Sequence, residues 1–174
     1  MAKQVGILGG SFNPPHIGHV AIAEYALKKG MEEVWVVPCF QHPFEKKLLP
    51  FEARFKMCQL AFSKIKSVSV LSMEKKLGGV SYTYRTVQNL IKQYPNYNFF
   101  LIVGTDAYQK KDEWKNIEKL EKEIEWLIVP RGKNSPIPDI SSKELRSKLA
   151  AGEACDPWLI PESSGYILAQ FTRR

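Results

Sequence analysis

Five short apolar runs, at 4–8, 33–37, 67–71, 98–102 and 125–129, alternate with stretches of helical pattern at 17–29, 51–62, 82–93, 113–122, 142–150 and 161–170. Strands separated by helices of this length predict an α/β fold with a parallel sheet. Several runs stop at Pro or Gly, at Pro38, Pro95, Pro130 and Gly152, as element boundaries should. No internal repeat or low-complexity segment interrupts the alternation. Open parallel sheets bind ligands beyond the carboxyl ends of their strands, where strand order reverses. The turns that follow the apolar runs are therefore the places to look for chemistry. The longest stretches without periodicity, 38–50 and 131–139, also follow strands, and long loops in a small domain are often functional.

Length and composition narrow the class. A chain of 174 residues is expected to form one domain, 1–174, with a sizeable core. No apolar run approaches the roughly 20 residues that span a bilayer, and the first strand begins without a charged-then-apolar leader. Three cysteines, Cys39, Cys58 and Cys155, lack the spacing of a disulfide framework or a zinc site and read as reduced thiols of a cytoplasmic protein. The formal charge of +7 favours acidic ligands. Its lysines and arginines are scattered, with no aromatic-interleaved basic stripe, so neither nucleic acid nor membrane is an expected partner.

The first strand turns into the first helix through Gly9-Gly10-Ser11-Phe12-Asn13-Pro14-Pro15-His16-Ile17-Gly18-His19. Glycine lets a phosphate approach the backbone, and N–H groups at a helix start attract anions. His16 and His19, three residues apart on one helical turn, would point the same way. Donors placed where a transferring phosphoryl or nucleotidyl group gathers charge lower the barrier without a covalent intermediate.

Three further turns carry unusual residues. Ser141 and Glu144 in Ile140-Ser141-Ser142-Lys143-Glu144-Leu145-Arg146 form a capping box, which starts a helix by itself. The preceding loop holds Arg131, Gly132 and Lys133, and Arg146 lies one turn beyond Ser142, so the same residues also suit a phosphate site. Gly104-Thr105-Asp106-Ala107 follows the fourth run and reads either as a helix cap or as a ribose and phosphate contact. Ser81-Tyr82-Thr83 opens a helix with Thr86 on its next turn. Trp114, among charged neighbours, is either core or an open face on which a flat ring stacks.

In this order and combination, the motifs resemble the HxGH nucleotidyltransferase superfamily and, more narrowly, the bacterial nicotinate mononucleotide adenylyltransferases. The likeness spans nearly the whole chain. Gly9–His19 is similar to the HxGH motif. Residues 140–146 resemble ISSTxxR, with Lys143 at the usual threonine. Gly104–Ala107 with Trp114 resembles GTDA and its downstream tryptophan, and Ser81–Thr86 resembles SYTxxT. The resemblance implies a Rossmann-like, five-stranded parallel sheet in order 3-2-1-4-5 flanked by helices. It also implies transfer of AMP from ATP to nicotinate mononucleotide with release of pyrophosphate, assisted by Mg2+ held mainly on the ATP phosphates. No protein metal site is expected.

Carried over by residue, the resemblance makes His16, His19 and Arg146 catalytic. It gives ATP to Gly9, Gly10, Ser11, Phe12, His16, His19, Gly104, Asp106, Ile140, Ser141, Ser142 and Arg146. It gives the acceptor to Thr83, Thr86, Trp114, Lys46 and Arg131. Two places depart from the family. Its PPHK segment is Gln41-His42-Pro43-Phe44-Glu45-Lys46 here, and Arg85 stands where an acidic residue is usual. Arg85 either faces the pyridine pocket or faces solvent. The competing readings are a phosphopantetheine adenylyltransferase and a nucleotide-binding protein of the same fold without catalysis.

Overall fold

The computed structural model describes residues 1–44, 47–132 and 134–172. Its strands are β1 (Lys3–Gly10), β2 (Glu33–Pro38), β3 (Val68–Val70), β4 (Tyr97–Gly104) and β5 (Glu125–Val129). All neighbouring pairs are parallel, and the order is β3-β2-β1-β4-β5. This is the predicted topology. The chain reverses its direction of travel across the sheet between β1 and β4, so the turns after those strands lie side by side.

The central strands are apolar on both faces because both faces are covered. Leu8, Val34, Val36, Ile102 and Val129 enter one core with residues of α1 (Ile17–Lys28) and α2 (Phe51–Ala61). Their neighbours Ile7, Trp35, Val37, Leu101 and Val103 enter the other, with Val87 and Leu90 of α4 (Thr83–Gln93). A third cluster joins Met57 of α2 to Leu145 and Leu149 of α7 (Ser142–Ala150) and Ile167 of α8 (Pro161–Phe171). Fully burying a residue such as Leu145 contributes roughly 1.5–3 kcal/mol. That packing holds the start of α7 against the turn after β1.

Two strands run further than their apolar runs. β1 continues through Gly9 and Gly10, which pair with Val37 and Pro38, and β4 continues to Gly104, which pairs with Val129. A partner on one side, β2 for β1 and β5 for β4, keeps these strands extended past their last large side chain. The helix predicted at 113–122 shrinks to α6 (Ile117–Leu120), preceded by a short 3-10 turn at Lys111–Glu113. Trp114 is extended and Asn116 is left-handed (φ 59°), so no continuous helix can pass through them. Two short helices escaped the periodicity, α3 (Met73–Leu77) and α5 (Thr105–Tyr108), each too brief to show a pattern. The three cysteines are buried and none is in a disulfide, and among the described residues no helix is long and apolar enough to cross a membrane.

Candidate active site

The turn after β1 reaches α1 through Phe12, whose φ of 45° is rare for a bulky residue. Phe12 is buried, and its ring lies 4.8 Å from that of His19. His16 is the N-cap of α1, and its backbone N–H donates to His19 Nδ1 at 3.1 Å. A neutral His19 that accepts at Nδ1 carries its proton on Nε2. The His16 ring likewise turns Nδ1 toward the helix start: a Cβ added at Gly18 would lie 2.9 Å from it. The pairing has the outline of a capping box. His19 N, however, bonds His16 O at 2.9 Å, and His16 Nδ1 has no partner of ordinary geometry among the described residues. The glycine between the histidines is thus a steric requirement.

Burial holds both imidazoles neutral. It lowers the His16 pKa to about 4, with the Arg131 guanidinium adding to the effect. It lowers the His19 pKa well below the ordinary value, with His16 and Arg131 adding repulsion. The ring centroids are 3.9 Å apart, a spacing that disfavours two imidazolium charges. The pair is built to donate hydrogen bonds, not to collect protons.

The helix start offers fewer backbone donors than the sequence suggests. Ile17 N–H is taken by Trp158 O at 3.0 Å and His19 N–H by His16 O. What the turn gains is support from α7. Ser142 Oγ donates to Pro14 O at 2.8 Å, and Arg146 Nη1 donates to Asn13 O at 2.7 Å. Ser141 caps α7 by accepting from Glu144 N at 3.1 Å, so the helix cap and the clamp coexist. Ile140 is buried, and its Cγ2 lies 3.4 Å from the position of a Gly18 Cβ. Residues 140–146 are thereby brought onto the histidine turn from 120 or more positions away.

Beyond β4, a Cβ at Gly104 would lie 2.5 Å from Asp106 Oδ1 and 3.1 Å from Arg131 Cγ. Gly104 also takes the N-cap position of the short α5, so the cap reading holds in the backbone while the carboxylate folds over the turn. Arg131 belongs to this corner. It follows β5, which pairs with β4, so its loop lies against Gly104 and its charge reaches both histidines. It does not line the cavity expected to hold the acceptor.

That cavity, about 510 Å³, is lined by Gly9, Gly10 and Ser11 on one side and by Thr83, Thr86 and Trp114 on the other. Trp114 is half-buried, 5.8 Å from Trp126: it packs against the core and also lines the cavity. His42, Pro43 and Phe44 of the divergent segment also line it, whereas Lys46 lies outside the described residues. Arg85 points away, donating to Leu77 O and Gly78 O at the end of α3. Lining residues missed in the sequence include Cys39, Glu74 and Lys115, whose Nζ sits 4.4 Å from the Tyr82 ring centroid. Lys115 was visible only as one charge among several beside Trp114. Glu74 had no signal, because α3 is too short for periodicity to mark a buried position.

A pair of neutral histidines beside a nucleotide-sized cavity, at the switch point of this sheet, defines the class of a nucleotidyltransferase. Comparison with known proteins agrees: the cytidylyltransferase-like family model matches residues 7–148. A probable nicotinate-nucleotide adenylyltransferase of Anaeromyxobacter dehalogenans is 39% identical over 161 residues, covering 87% of this chain and 86% of its own. One of Bacteroides fragilis is 35% identical over 189 residues, with 98% and 94% covered. The solved Plasmodium falciparum nicotinic acid mononucleotide adenylyltransferase, complexed with NaAD, shares the fold at a TM-score of 0.83 and 22% identity, covering 98% of this chain and 97% of that one. The chain belongs to the cytidylyltransferase-like family and, within it, to the nicotinate-nucleotide adenylyltransferases.

Proposed function

We propose that the chain transfers the adenylyl group of ATP to nicotinate mononucleotide, forming the dinucleotide and pyrophosphate. One observation carries the reading. The cavity bearing Thr83, Thr86 and Trp114 opens onto Gly9–Ser11, the same turn that presents His16 and His19. An acceptor held in the cavity would meet a nucleotide held at the histidines.

An oxygen of the mononucleotide phosphate attacks the α-phosphorus of ATP. A new P–O bond forms, the bond to the bridging oxygen breaks, and pyrophosphate leaves with that electron pair. The attacking phosphate is already anionic at neutral pH, so no protein base is required. The His16 and His19 Nε2 edges would face the oxygens of the transferred phosphate, where fixed donors in a dry site act strongly. Ser141, Ser142, Arg146 and the neighbouring Arg131 would meet the outer phosphates. Arg146 retains further N–H groups beyond the one spent on Asn13 O. Gly104 and Asp106 would receive the ribose region, and Trp114 would stack on the pyridine ring.

Asp106, folded over the turn at Gly104, is the carboxylate at hand for a cation carried by the ATP phosphates. Mg2+ bound in this way would neutralise charge on the leaving pyrophosphate. Three buried cysteines outside any disulfide suit a reducing, cytoplasmic setting.

The test is pyrophosphate release with ATP, with and without Mg2+, offering nicotinate mononucleotide, nicotinamide mononucleotide and phosphopantetheine in turn. Turnover with nicotinate mononucleotide is expected to exceed the other two. Turnover confined to phosphopantetheine would replace the reading, and none with any acceptor would leave only nucleotide binding.

A further inference from the structure

One wall of the acceptor cavity is the loop after β2, which contributes Cys39, His42, Pro43 and Phe44. Two buried charges of opposite sign hold that loop at Phe40. Arg54, on α2, is 1% exposed. Its Nη2 donates to Phe40 O at 3.4 Å, its Nη1 to Ser11 O at 2.8 Å, and its Nε to Leu49 O at 2.9 Å. Glu74, on α3, is 9% exposed and lines the cavity. Its Oε2 shares the Phe40 N–H with Ser81 Oγ, at 3.2 and 2.8 Å respectively, and its Oε1 accepts the Thr86 hydroxyl at 2.9 Å. The two peptide groups of Phe40 are therefore pinned from opposite sides. One arm leads to the turn carrying the histidines and the other to the helix carrying Thr86.

Burying a charge is costly, and an apolar residue of similar size often gives an equally stable protein. Here neither charge is spent on a direct ion pair with the other. Each is spent on loop backbone, and each spans two segments of the site. Burial pushes the Glu74 carboxyl up from its ordinary value, while bonds from Ser81, Thr86 and Phe40 and the charge of Arg54 oppose it. Such an arrangement serves register better than it serves stability.

We infer that Arg54 and Glu74 are positioning residues for the transfer: Arg54 sets the acceptor loop against the histidine turn, and Glu74 sets it against Thr86. The inference rests on the acceptor reading given above. It separates the two substrates. Loss of Glu74 disturbs only the acceptor wall, whereas loss of Arg54 disturbs the distance between donor and acceptor.

The experiment measures kcat, both KM values, calorimetric binding of nicotinate mononucleotide alone, and Tm, on the full chain and its variants. Glu74→Ala is expected to raise the mononucleotide KM and Kd about tenfold to a hundredfold and the ATP KM by less than about threefold. Glu74→Gln is expected to restore both to within about threefold of the parent. Its amide oxygen can take Phe40 N–H, and its NH2 can donate to Thr86 Oγ1, whose own proton then turns to Tyr82 O, 3.5 Å away. Glu74→Asp keeps the charge but cannot reach both partners, and stands in if the alanine variant fails to fold; its mononucleotide KM rises while its ATP KM holds. Arg54→Lys keeps the charge but cannot reach three carbonyls, and lowers kcat about tenfold or more with either substrate saturating. The inference is overturned if Glu74→Ala leaves the mononucleotide KM unchanged, or if both KM values move together with Tm. It is also overturned if Glu74→Gln is as impaired as Glu74→Ala, or if Arg54→Lys turns over normally. A parent chain that binds ATP but never uses nicotinate mononucleotide overturns the acceptor reading instead, before any variant is compared.

Discussion

The turn that carries His16 and His19 and the cavity that Thr86 and Trp114 line are built by different means. On the donor side, the turn's own residues do much of the positioning, and a helix grips its backbone. His16 N–H fixes the His19 ring, Gly18 leaves room for the His16 ring, and α7 grips Asn13 O and Pro14 O through Arg146 and Ser142. On the acceptor side, side chains do it. Glu74 and Arg54 hold a loop that has no regular structure, and Trp114 is aimed by an extended residue between two short helical turns. A turn fixed by its own residues tolerates few sequences, while a loop held from outside by its backbone can change its own residues and keep its path. This accounts for the near-complete match of the donor motifs beside the rewritten segment Gln41–Lys46.

If the donor side is a set of fixed neutral donors, removing one should cost turnover and little else. His19→Ala is expected to lower kcat about a hundredfold to a thousandfold, the range seen when one oxyanion donor is lost, with the mononucleotide KM nearly unchanged. Steady-state kinetics with both substrates checks this. Near-normal turnover would remove His19 from the mechanism and with it the contrast between the two sides.

The neutrality of the pair has its own signature. His16 titrates near 4 when folded and near the ordinary 6.5 when unfolded, so the unfolded chain takes up a proton first as pH falls. Its contribution to stability is complete above about pH 6.5 and is lost progressively toward about pH 4, a change of about 3 kcal/mol. Urea unfolding between pH 4.5 and 7.5, compared with His16→Gln, isolates the term. The variant should be less sensitive to acid than the parent, and equal sensitivity would mean that the imidazole is not buried as a neutral group.

The donor side was legible in the sequence because its determinants are local. A strand, a glycine pair, two histidines on one turn and an S-x-x-E cap are each written in residues a few positions apart, although the cap reaches the turn from more than 120 positions away. The sheet order followed from the resemblance, and the strand and helix alternation pointed to a parallel sheet. Glu74 and Arg54 were not legible. Arg54 stands on the apolar stripe of α2 with Phe51, Met57, Cys58 and Ala61, where a charge is the anomaly that could have marked it. Its partners are backbone carbonyls of loops, which carry no residue code. Nothing in a sequence says which side of a strand end a loop residue such as Arg131 will take; the structure sets it beside Gly104.

On the acceptor side the expected losses are smaller and appear in KM. Stacking of a flat ring on an aromatic side chain is worth about 1–3 kcal/mol by alanine substitution. Trp114→Ala is expected to raise the mononucleotide KM about tenfold or more, while Trp114→Phe recovers much of it. The ATP KM should move little. Because the indole also packs near Trp126, Tm has to be followed alongside; a fall in Tm with both KM values unchanged would assign Trp114 to the core alone.

The smallest effect is expected where the donor motif itself departs from the family. Lys143 replaces the usual threonine inside an otherwise matching helix start, yet its side chain is exposed and the clamp on the histidine turn is made by Ser142 and Arg146 on either side of it. A surface substitution of this kind shifts stability by no more than about 0.5 kcal/mol. Lys143→Thr should therefore leave kcat and the ATP KM within about twofold of the parent. A gain of tenfold or more in kcat/KM for ATP would show that the motif needs its threonine hydroxyl, and that the donor side is set by side chains at this position after all. Unchanged kinetics would place the demand on Ser142 and Arg146, whose contacts are to backbone, and leave position 143 as free to vary as the acceptor loop.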